Sequence, residues 1–383
     1  MELYIHLPFC VKKCKYCSFV SFAGLEDRME RYALLLLKEA EKRAPEIHEP
    51  VETVYVGGGT PSLFPPALWK QLFTRLRTLF SWAPEVEFTA EANPGTLTAP
   101  WLEAALSSGV NRLSLGMQAF QPKLLQTLGR IHTWPQVQTG VEAVRAAGIR
   151  NLNLDLMFGL PGQSLAQWEE SLSAALSLSP EHISAYGLIP EEGTPLGDAV
   201  LSGAVALPEV EEEREMYDVA IGQLKKHGLQ QYEISNFARP GAECRHNIGY
   251  WTQVPYLGLG LAAASLTVLS TGPSGMRCRR RTNPETFAAY EQLLSTDTGL
   301  APQEEVSPAQ ARFETMMLGL RMNAGVEEAA FARLHGVSLE QCYGKPLRRF
   351  EASGLCSHAQ GRWQLTRRGF DLQNSMLVEL MDD

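Results

Sequence analysis

The chain has 383 residues, of which 45% are hydrophobic and 20% charged, and its formal net charge is −9. That length and apolar content suit one large domain plus a smaller one. The negative charge argues against a dedicated nucleic-acid binder, and no apolar run approaches the roughly 18 residues of a membrane span.

The amino-terminal sequence MELYIHL passes directly into a strand pattern, with neither a basic leader nor a long apolar segment. Four of the seven cysteines are scattered through the second half of the chain, as reduced thiols usually are: Cys244, Cys278, Cys342 and Cys356. We therefore expect a cytoplasmic protein.

Up to about residue 190 the predicted strands and helices alternate, which is typical of βα units and a parallel sheet. The predicted strands are 3–7, 51–56, 86–90, 112–115, 151–156 and 182–186, and the predicted helices are 26–42, 66–80, 98–107, 122–128, 134–146 and 164–177. Six units are fewer than the eight of a closed barrel. We therefore predict an α/β fold with an open, partial (β/α)6 barrel, whose motifs share one mouth at the carboxyl ends of the strands.

The alternation stops after residue 190. A helix is predicted over 210–226 and another over 284–296, and 300–307 is interpreted as a linker. Helices followed by a hairpin in the tail resemble a winged helix. We divide the chain into a barrel core (1–190), a barrel extension (191–300) and a C-terminal helical, winged-helix-like domain (301–383). Residues 305 to 383 hold nine Lys and Arg against ten Asp and Glu, so this domain is a poor candidate for nucleic-acid binding.

Three cysteines lie within eight residues, directly after the first predicted strand: Cys10, Cys14 and Cys17. Such a CxxxCxxC run lets three thiolates converge on one metal centre, either iron–sulfur or zinc. A zinc site needs a fourth ligand, for which His6 is the nearest candidate, and a disulfide would leave one cysteine unpaired. The spacing favours an iron–sulfur cluster with one iron free of protein ligands, and the alternatives stay open.

Several polar or glycine residues also follow predicted strands. Gly57–Gly59 bring bare backbone to the mouth, and Glu91, Gln118 and Asp155 lie at or near the ends of later strands. Arg130 offers a fixed cation for a carboxylate. Each of these residues taken singly is explained equally well by a structural role.

The motifs YIHLPFC, GGGTPS, EANPGT, NRLSLGMQAF, LGRIHT, NLDLMFGLPGQ and YEISNFA occur in that order. With the cysteine run, they resemble the radical S-adenosylmethionine (SAM) superfamily and, within it, the oxygen-independent coproporphyrinogen III oxidase group. The resemblance implies a [4Fe-4S] cluster on the three cysteines, with SAM chelated to the open iron. It further implies that the SAM contacts are Tyr4, Tyr16, Gly58, Gly59, Thr60, Glu91, Gln118, Arg130, Asp155 and Gly187.

The group has two branches. The decarboxylating enzymes carry a further cysteine two residues after the third, where this chain has Phe19. The heme-chaperone branch lacks it and carries an HNxxYW motif, which matches residues 246–251. The resemblance thus implies a heme chaperone that binds heme through His246 and delivers it to acceptor proteins. The alternatives are the oxidase and a radical SAM enzyme that modifies RNA.

The partners follow from the same resemblance. They are heme-accepting proteins and, if SAM is cleaved, an electron donor such as flavodoxin or ferredoxin. Peripheral association with a membrane is compatible with the family, although no segment resembles an anchor.

The HNxxYW segment has a physical rationale. A neutral histidine is a usual axial ligand of heme iron, aromatic residues pack against a flat macrocycle, and Cys244 is a second soft ligand close by. From these six residues alone, a hydrogen-bonded structural His246 is the favoured interpretation, and it is the family resemblance that reverses this preference. Family members usually have a histidine where this chain has Ala264. The second axial ligand, the acceptor and the oligomeric state stay open.

Overall fold

The computed structural model describes residues 1–296 and 300–381. Six parallel strands occupy the predicted positions and extend several of them by a few residues: β1 (Glu2–Leu7), β2 (Val51–Gly58), β3 (Trp82–Ala92), β4 (Arg112–Gln118), β5 (Asn151–Phe158) and β6 (His182–Gly187). The helices between them are α1 (Met29–Arg43), α2 (Pro66–Leu79), α3 (Ala99–Ser108), α4 (Pro122–Leu128), α5 (Trp134–Ala146) and α6 (Leu165–Ser177). The predicted partial barrel is confirmed.

Local signals set the ends of these helices. The Thr98 and Ser164 hydroxyls accept hydrogen bonds from the backbone N–H groups of the first turns of α3 and α6. Gly109 and Gly129 end α3 and α4 in the left-handed conformation that glycine adopts without a steric penalty. The sequence therefore specifies where each helix stops and where the chain turns back to the sheet.

The extension adds strands to both sides of the barrel. Its elements are α7 (Pro195–Leu201), α8 (Val210–Lys226), β7 (Gln230–Gln231), β8 (Asn236–Ala238), α9 (Arg245–Trp251), β9 (Tyr256–Leu259), β10 (Ala264–Ser270), β11 (Arg277–Thr282) and α10 (Phe287–Ser295). With β12 (Gln303–Val306), the twelve-stranded sheet has the order β12-β11-β10-β9-β1-β2-β3-β4-β5-β6-β8-β7. Strand β9 runs parallel to β1, so it adds a seventh parallel strand beside the cysteine loop.

The prediction of a linker over 300–307 is wrong, because β12 pairs antiparallel with β11 at the edge of the sheet. Its two glutamates face arginines of the neighbouring strand, and the Arg279 side chain lies 3.0 Å from Glu305. Opposite charges on adjacent edge strands stabilise pairing. An apolar alternation, which is the signal for a buried strand, is absent from such an edge.

The C-terminal segment contains α11 (Pro308–Gly319), β13 (Val326–Glu327), α12 (Glu328–His335), α13 (Leu339–Ala352), β14 (Cys356–Ala359), β15 (Arg362–Leu365), α14 (Arg367–Asp371) and α15 (Gln373–Met381). Its helices and three-stranded sheet enclose a hydrophobic core of their own, as the winged-helix-like prediction expects. The boundaries at 190 and 300 remain a proposal. Residues 297–299 and 382–383, which belong to the second and third predicted segments, lie outside the described residues.

The main core lies between the sheet and the outer helices, where Trp69, Trp101 and Trp168 are fully buried. The loops that follow β1 to β6 are thus carried on a well-packed scaffold, and they meet at the carboxyl edge of the sheet.

In the described part of the chain, no helix has the length and apolar character needed to cross a membrane.

Candidate functional site

Three cavities meet at this edge, and we name them by their surroundings. The cluster cavity, of about 380 Å³, is lined by Cys10, Cys14 and Cys17 together with residues of β2 to β6 and of the loops after them. The connecting cavity, of about 210 Å³, lies beside it and is lined by residues of β1, β2 and α9. The interface cavity, of about 670 Å³, lies between the barrel and α11.

The cysteine loop is held against the barrel by backbone hydrogen bonds. Its first residues, Phe9 and Cys10, pair in parallel with Phe22 and Ala23. Farther along the loop, the N–H group of Lys15 donates to the carbonyl of Leu128 at 2.9 Å. All three cysteines line the cluster cavity, and all three are free thiols.

Each of two cysteines has a polar neighbour. The Thr60 Oγ1 hydroxyl lies 3.7 Å from Cys10 Sγ, and Arg130 Nη1 lies 3.6 Å from Cys14 Sγ. Burial raises the pKa of Cys10 and of Cys17 above that of an ordinary thiol. These two side chains are therefore protonated at neutral pH, and iron binding would release their protons.

The three thiols fit a four-iron cluster. Among residues 1–296 and 300–381, no group of three or more His, Cys, Asp or Glu side chains is arranged to hold one metal ion. A four-iron cluster does not need such an arrangement, because each of its protein ligands binds a different iron atom. The donor set is also one of soft thiolates, which iron–sulfur clusters use.

The glycine motif brings the end of β2 against the cysteine loop. The Gly59 N–H donates to the Leu7 carbonyl at 2.8 Å, and the Thr60 N–H donates to the Phe9 carbonyl at 2.7 Å. A Cβ atom on Gly59 would lie 2.6 Å from the Phe9 carbonyl oxygen. This close approach requires glycine, and it places Gly58, Gly59 and Thr60 on the cavity wall.

Two partly buried carboxyl groups line the cluster cavity. Glu91 accepts a hydrogen bond of 2.9 Å from the Tyr55 hydroxyl, and Asp155 accepts one of 2.8 Å from the Ser114 hydroxyl. Burial, together with the charge of Asp155, raises the pKa of Glu91 to about 7. Burial also raises the pKa of Asp155. This wall therefore attracts a cation or hydroxyl donors.

Arg130 supplies the positive charge of the site. Its Nη2 atom donates to the Asn93 side-chain oxygen and to the Gly116 carbonyl, each at 2.6 Å. It forms no ion pair with any described carboxylate. The guanidinium thus remains available to a carboxylate of a ligand.

Gln118, which lines the same cavity, adopts a φ of 63°. This left-handed conformation is uncommon for a residue with a side chain, and such residues cluster at functional sites.

The structure brings together most of the predicted site residues. The cluster cavity is lined by Cys10, Cys14, Tyr16, Cys17, Gly58, Gly59, Thr60, Glu91, Gln118, Arg130 and Asp155. Three predicted residues do not line it. Tyr4 lies deeper along β1 and faces the other two cavities. Gly187 is pressed against α8, where a Cβ atom would lie 2.9 Å from Glu213 Oε1. His246 lies on α9 and lines the connecting cavity.

His246 is buried, and both of its ring nitrogens have partners. Nδ1 lies 2.7 Å from the Thr53 hydroxyl, and Nε2 lies 3.0 Å from the Tyr250 hydroxyl. Burial and the charge of Arg112 lower the pKa of His246 to about 3, so the ring is neutral. A neutral ring is the form that binds iron, but coordination would first require that Nε2 lose its contact with Tyr250.

Cys244 does not line any of the three cavities. It is completely buried, and its sulfur lies 3.6 Å from Glu87 Oε1. Burial raises its pKa to about 12. A buried thiol of this kind is a structural group, so the expectation of a second soft ligand at Cys244 is not supported.

Sequence reasoning missed several residues that line the cluster cavity: Tyr55, Asn93, Ser114, Met157 and Tyr186. Tyr55 and Ser114 belong to strands whose neighbouring residues were selected, and they lie on the same face as the selected ones. The alternation of side chains along a strand, applied to β2 and β4, would have found them. Tyr186 lines the cavity and directly precedes Gly187, so the contact predicted at Gly187 was misplaced by one residue.

The chain resembles several known proteins. The Radical SAM superfamily model matches residues 4–175, and the model of the HemN C-terminal domain matches residues 306–372. Heme chaperone HemW of Bacillus subtilis is 35% identical over 377 residues, which cover 97% of each chain. Heme chaperone HemW of Escherichia coli is 33% identical, and the match covers 98% of this chain and 97% of the relative.

Among solved structures, coproporphyrinogen III oxidase (HemN) from Escherichia coli superposes with a TM-score of 0.83. The match covers 100% of this chain and 89% of the other, at 21% sequence identity. At that identity, the likeness establishes the fold.

Proposed function

This chain belongs to the family of heme chaperones named HemW, within the radical SAM superfamily, and we propose that it binds a [4Fe-4S] cluster, SAM and heme and delivers the heme to acceptor proteins. The curated relatives of that name support the proposal, as does the absence of a cysteine at Phe19. The acceptors are heme-requiring proteins, and an electron donor such as flavodoxin or ferredoxin is needed only if SAM is cleaved.

Cys10, Cys14 and Cys17 would hold the cluster, which when bound supplies an open iron for the methionine end of SAM. The guanidinium of Arg130 is placed to pair with a carboxylate, and Glu91 and Asp155 are placed to accept hydrogen bonds from ribose hydroxyls or an amino group. All three groups are partly buried, and the lower local polarity strengthens each contact.

One observation carries the heme-chaperone proposal. The connecting cavity, which His246 lines, shares the walls of Phe19, Tyr55, Gly58 and Glu91 with the cluster cavity. The histidine of the HNxxYW motif thus lines a cavity adjacent to the one that we assign to SAM. A structural histidine would need no such access to a cavity.

The test is a parallel assay after anaerobic reconstitution with iron and sulfide. We expect saturable heme binding, with transfer to an apo-acceptor, and no conversion of coproporphyrinogen III to protoporphyrinogen IX in the presence of SAM and a reductant. His246→Ala should weaken heme binding or change its absorption spectrum. His48→Ala, at an exposed position, is the matched control. Turnover without heme binding would instead identify the oxidase.

The raised pKa of Glu91 predicts a pH-dependent affinity for SAM. Because its pKa is about 7, Glu91 is largely protonated below that pH. SAM carries a permanent positive charge at its sulfonium and therefore favours the ionised carboxylate. The affinity of the cluster-loaded protein for SAM should rise as the pH increases through about 7 and then level off. Equilibrium binding at pH 6 to 8.5 measures this, and Glu91→Gln should flatten the curve. An unchanged pH dependence in that variant would contradict the assignment.

A further inference from the structure

We propose that the interface cavity is the heme site and that the Tyr250 side chain is the gate through which heme iron reaches His246. This inference rests on the proposed heme-chaperone function and adds where the cargo lies. It follows from the sizes of the cavities, from the residues that they share and from the contacts of Tyr250.

The interface cavity has the size and chemistry of a macrocycle site. Its volume of about 670 Å³ lies within the roughly 300–1,000 Å³ of pockets that enclose cofactors. The connecting cavity, at about 210 Å³, is too small. Aromatic rings of Tyr4, Tyr250 and Tyr256 form one side of the interface cavity, and Met317 and Leu318 of α11 form another. A flat apolar ring would pack between these surfaces.

A cation on the same wall suits the carboxylates of heme. Arg280 lies on β11, is one-third exposed, and pairs with Glu314 at 2.8 Å. Glu314 neutralises this arginine in the free protein. A propionate group would share the guanidinium with Glu314, because arginine presents five N–H donors.

Tyr250 separates this cavity from His246. Its side chain lines both the interface cavity and the connecting cavity. Its hydroxyl lies 3.0 Å from His246 Nε2, and its ring meets the imidazole edge-on with centroids 4.8 Å apart. Tyr4 and Phe19 line both cavities as well, but Tyr250 is the shared residue that contacts Nε2, so its movement would expose that nitrogen to the larger cavity.

The opposite nitrogen of His246 is already fixed for coordination. Thr53 Oγ1 lies 2.7 Å from Nδ1, and when it accepts the Nδ1 proton, the lone pair remains on Nε2. Ligating histidines generally have such a partner on their second nitrogen, which orients the ring. Tyr55 stacks on the imidazole with centroids 5.2 Å apart, so the ring cannot turn away. The contact that has to break is the one between Tyr250 and Nε2.

Ala264 also lines the interface cavity. A side chain larger than alanine at this position would project into the space that we assign to the macrocycle. The cavity can therefore be filled by substitution without changing the cysteines, His246 or the SAM contacts.

The experiment is a heme titration of the full-length, cluster-loaded protein, followed by stopped-flow absorption. Tyr250→Phe keeps the ring but removes the hydroxyl, so heme should associate about 3- to 10-fold faster, the factor that corresponds to one hydrogen bond. Ala264→Trp should weaken heme binding at least about tenfold, in the range of severe overpacking. Met317→Trp fills the cavity from the α11 side, and it replaces Ala264→Trp in the experiment if that variant does not fold. The controls are Tyr343→Phe in the C-terminal core and Ala288→Trp on the exposed face of α10.

The outcomes separate this inference from the proposed function. Wild-type heme binding that is unaffected by tryptophan on either wall overturns the cavity assignment, and a Tyr250→Phe protein that binds no faster overturns the gate. Absence of heme binding in the wild type overturns the proposed function and this inference with it. Loss of binding in the cavity variants, with SAM binding and the cluster spectrum unchanged, supports both.

Discussion

Cys17→Ser is expected to abolish the iron–sulfur cluster. Cys10, Cys14 and Cys17 line one cavity, and each must supply a thiolate to a different iron atom of the cluster. A serine oxygen is a harder donor atom than sulfur, and a hydroxyl is a far weaker acid than a thiol. Serine is therefore a poor substitute for a soft thiolate ligand. Iron content after anaerobic reconstitution should fall from about four atoms per chain to near background, with loss of the visible absorption of the cluster.

Cys342→Ser is the matched control for that experiment. Cys342 is also a free, partly buried cysteine, but it lies on α13 in the C-terminal segment, away from the cluster cavity. This variant should assemble the cluster as the wild type does. A Cys17→Ser protein that retains a full complement of iron, or a Cys342→Ser protein that loses it, would contradict the assignment of the ligands.

Gly59→Ala is expected to have the second large effect, because the added Cβ atom meets backbone. It would lie 2.6 Å from the Phe9 carbonyl oxygen, 2.7 Å from the Phe9 nitrogen and 2.8 Å from the Leu7 carbonyl oxygen. Backbone atoms cannot rotate away, so the end of β2 must separate from the cysteine loop. We expect a loss of about 2–3 kcal/mol in the free energy of unfolding, measured by chemical denaturation. SAM affinity should fall by at least about tenfold, since one such displacement of a binding wall costs more than 1.4 kcal/mol.

Gly222→Ala is the appropriate comparison. Gly222 lies on α8 and is exposed, and a Cβ atom there would meet no atom within 4 Å. Because alanine is the better helix former, this variant should be more stable than the wild type by about 0.5–1 kcal/mol. Opposite signs for the two substitutions would attribute the loss at Gly59 to its contacts with Phe9 and Leu7. A neutral Gly59→Ala would show that the two loops can separate without cost.

The sequence was sufficient to predict the barrel and the cluster loop, because both depend on local patterns. The alternation of strands and helices is visible in the order of apolar runs, capping residues and glycines. The CxxxCxxC run contains the three proposed cluster ligands within eight residues, so no distant contact is needed to bring them together. The grouping of Glu91, Gln118 and Asp155, which lie at or near the carboxyl ends of β3, β4 and β5, follows from the rule that such ends share one edge.

Tertiary structure decided the remaining features. Whether 300–307 is a linker or a strand depended on the arginines of β11, which are distant in sequence from Glu304 and Glu305. The position of Tyr4 depended on its depth along β1, and sequence alone does not show how far a side chain lies from the mouth of a barrel. The HNxxYW motif identifies His246, but only the fold reveals that Thr53 and Tyr250 occupy its two nitrogens. The spacing of residues close together in the sequence thus determined which chemistry the chain carries, because that spacing sets which side chains can bind the same group. Packing between remote segments determined which of those groups are accessible, because burial and hydrogen-bond partners come from other parts of the chain.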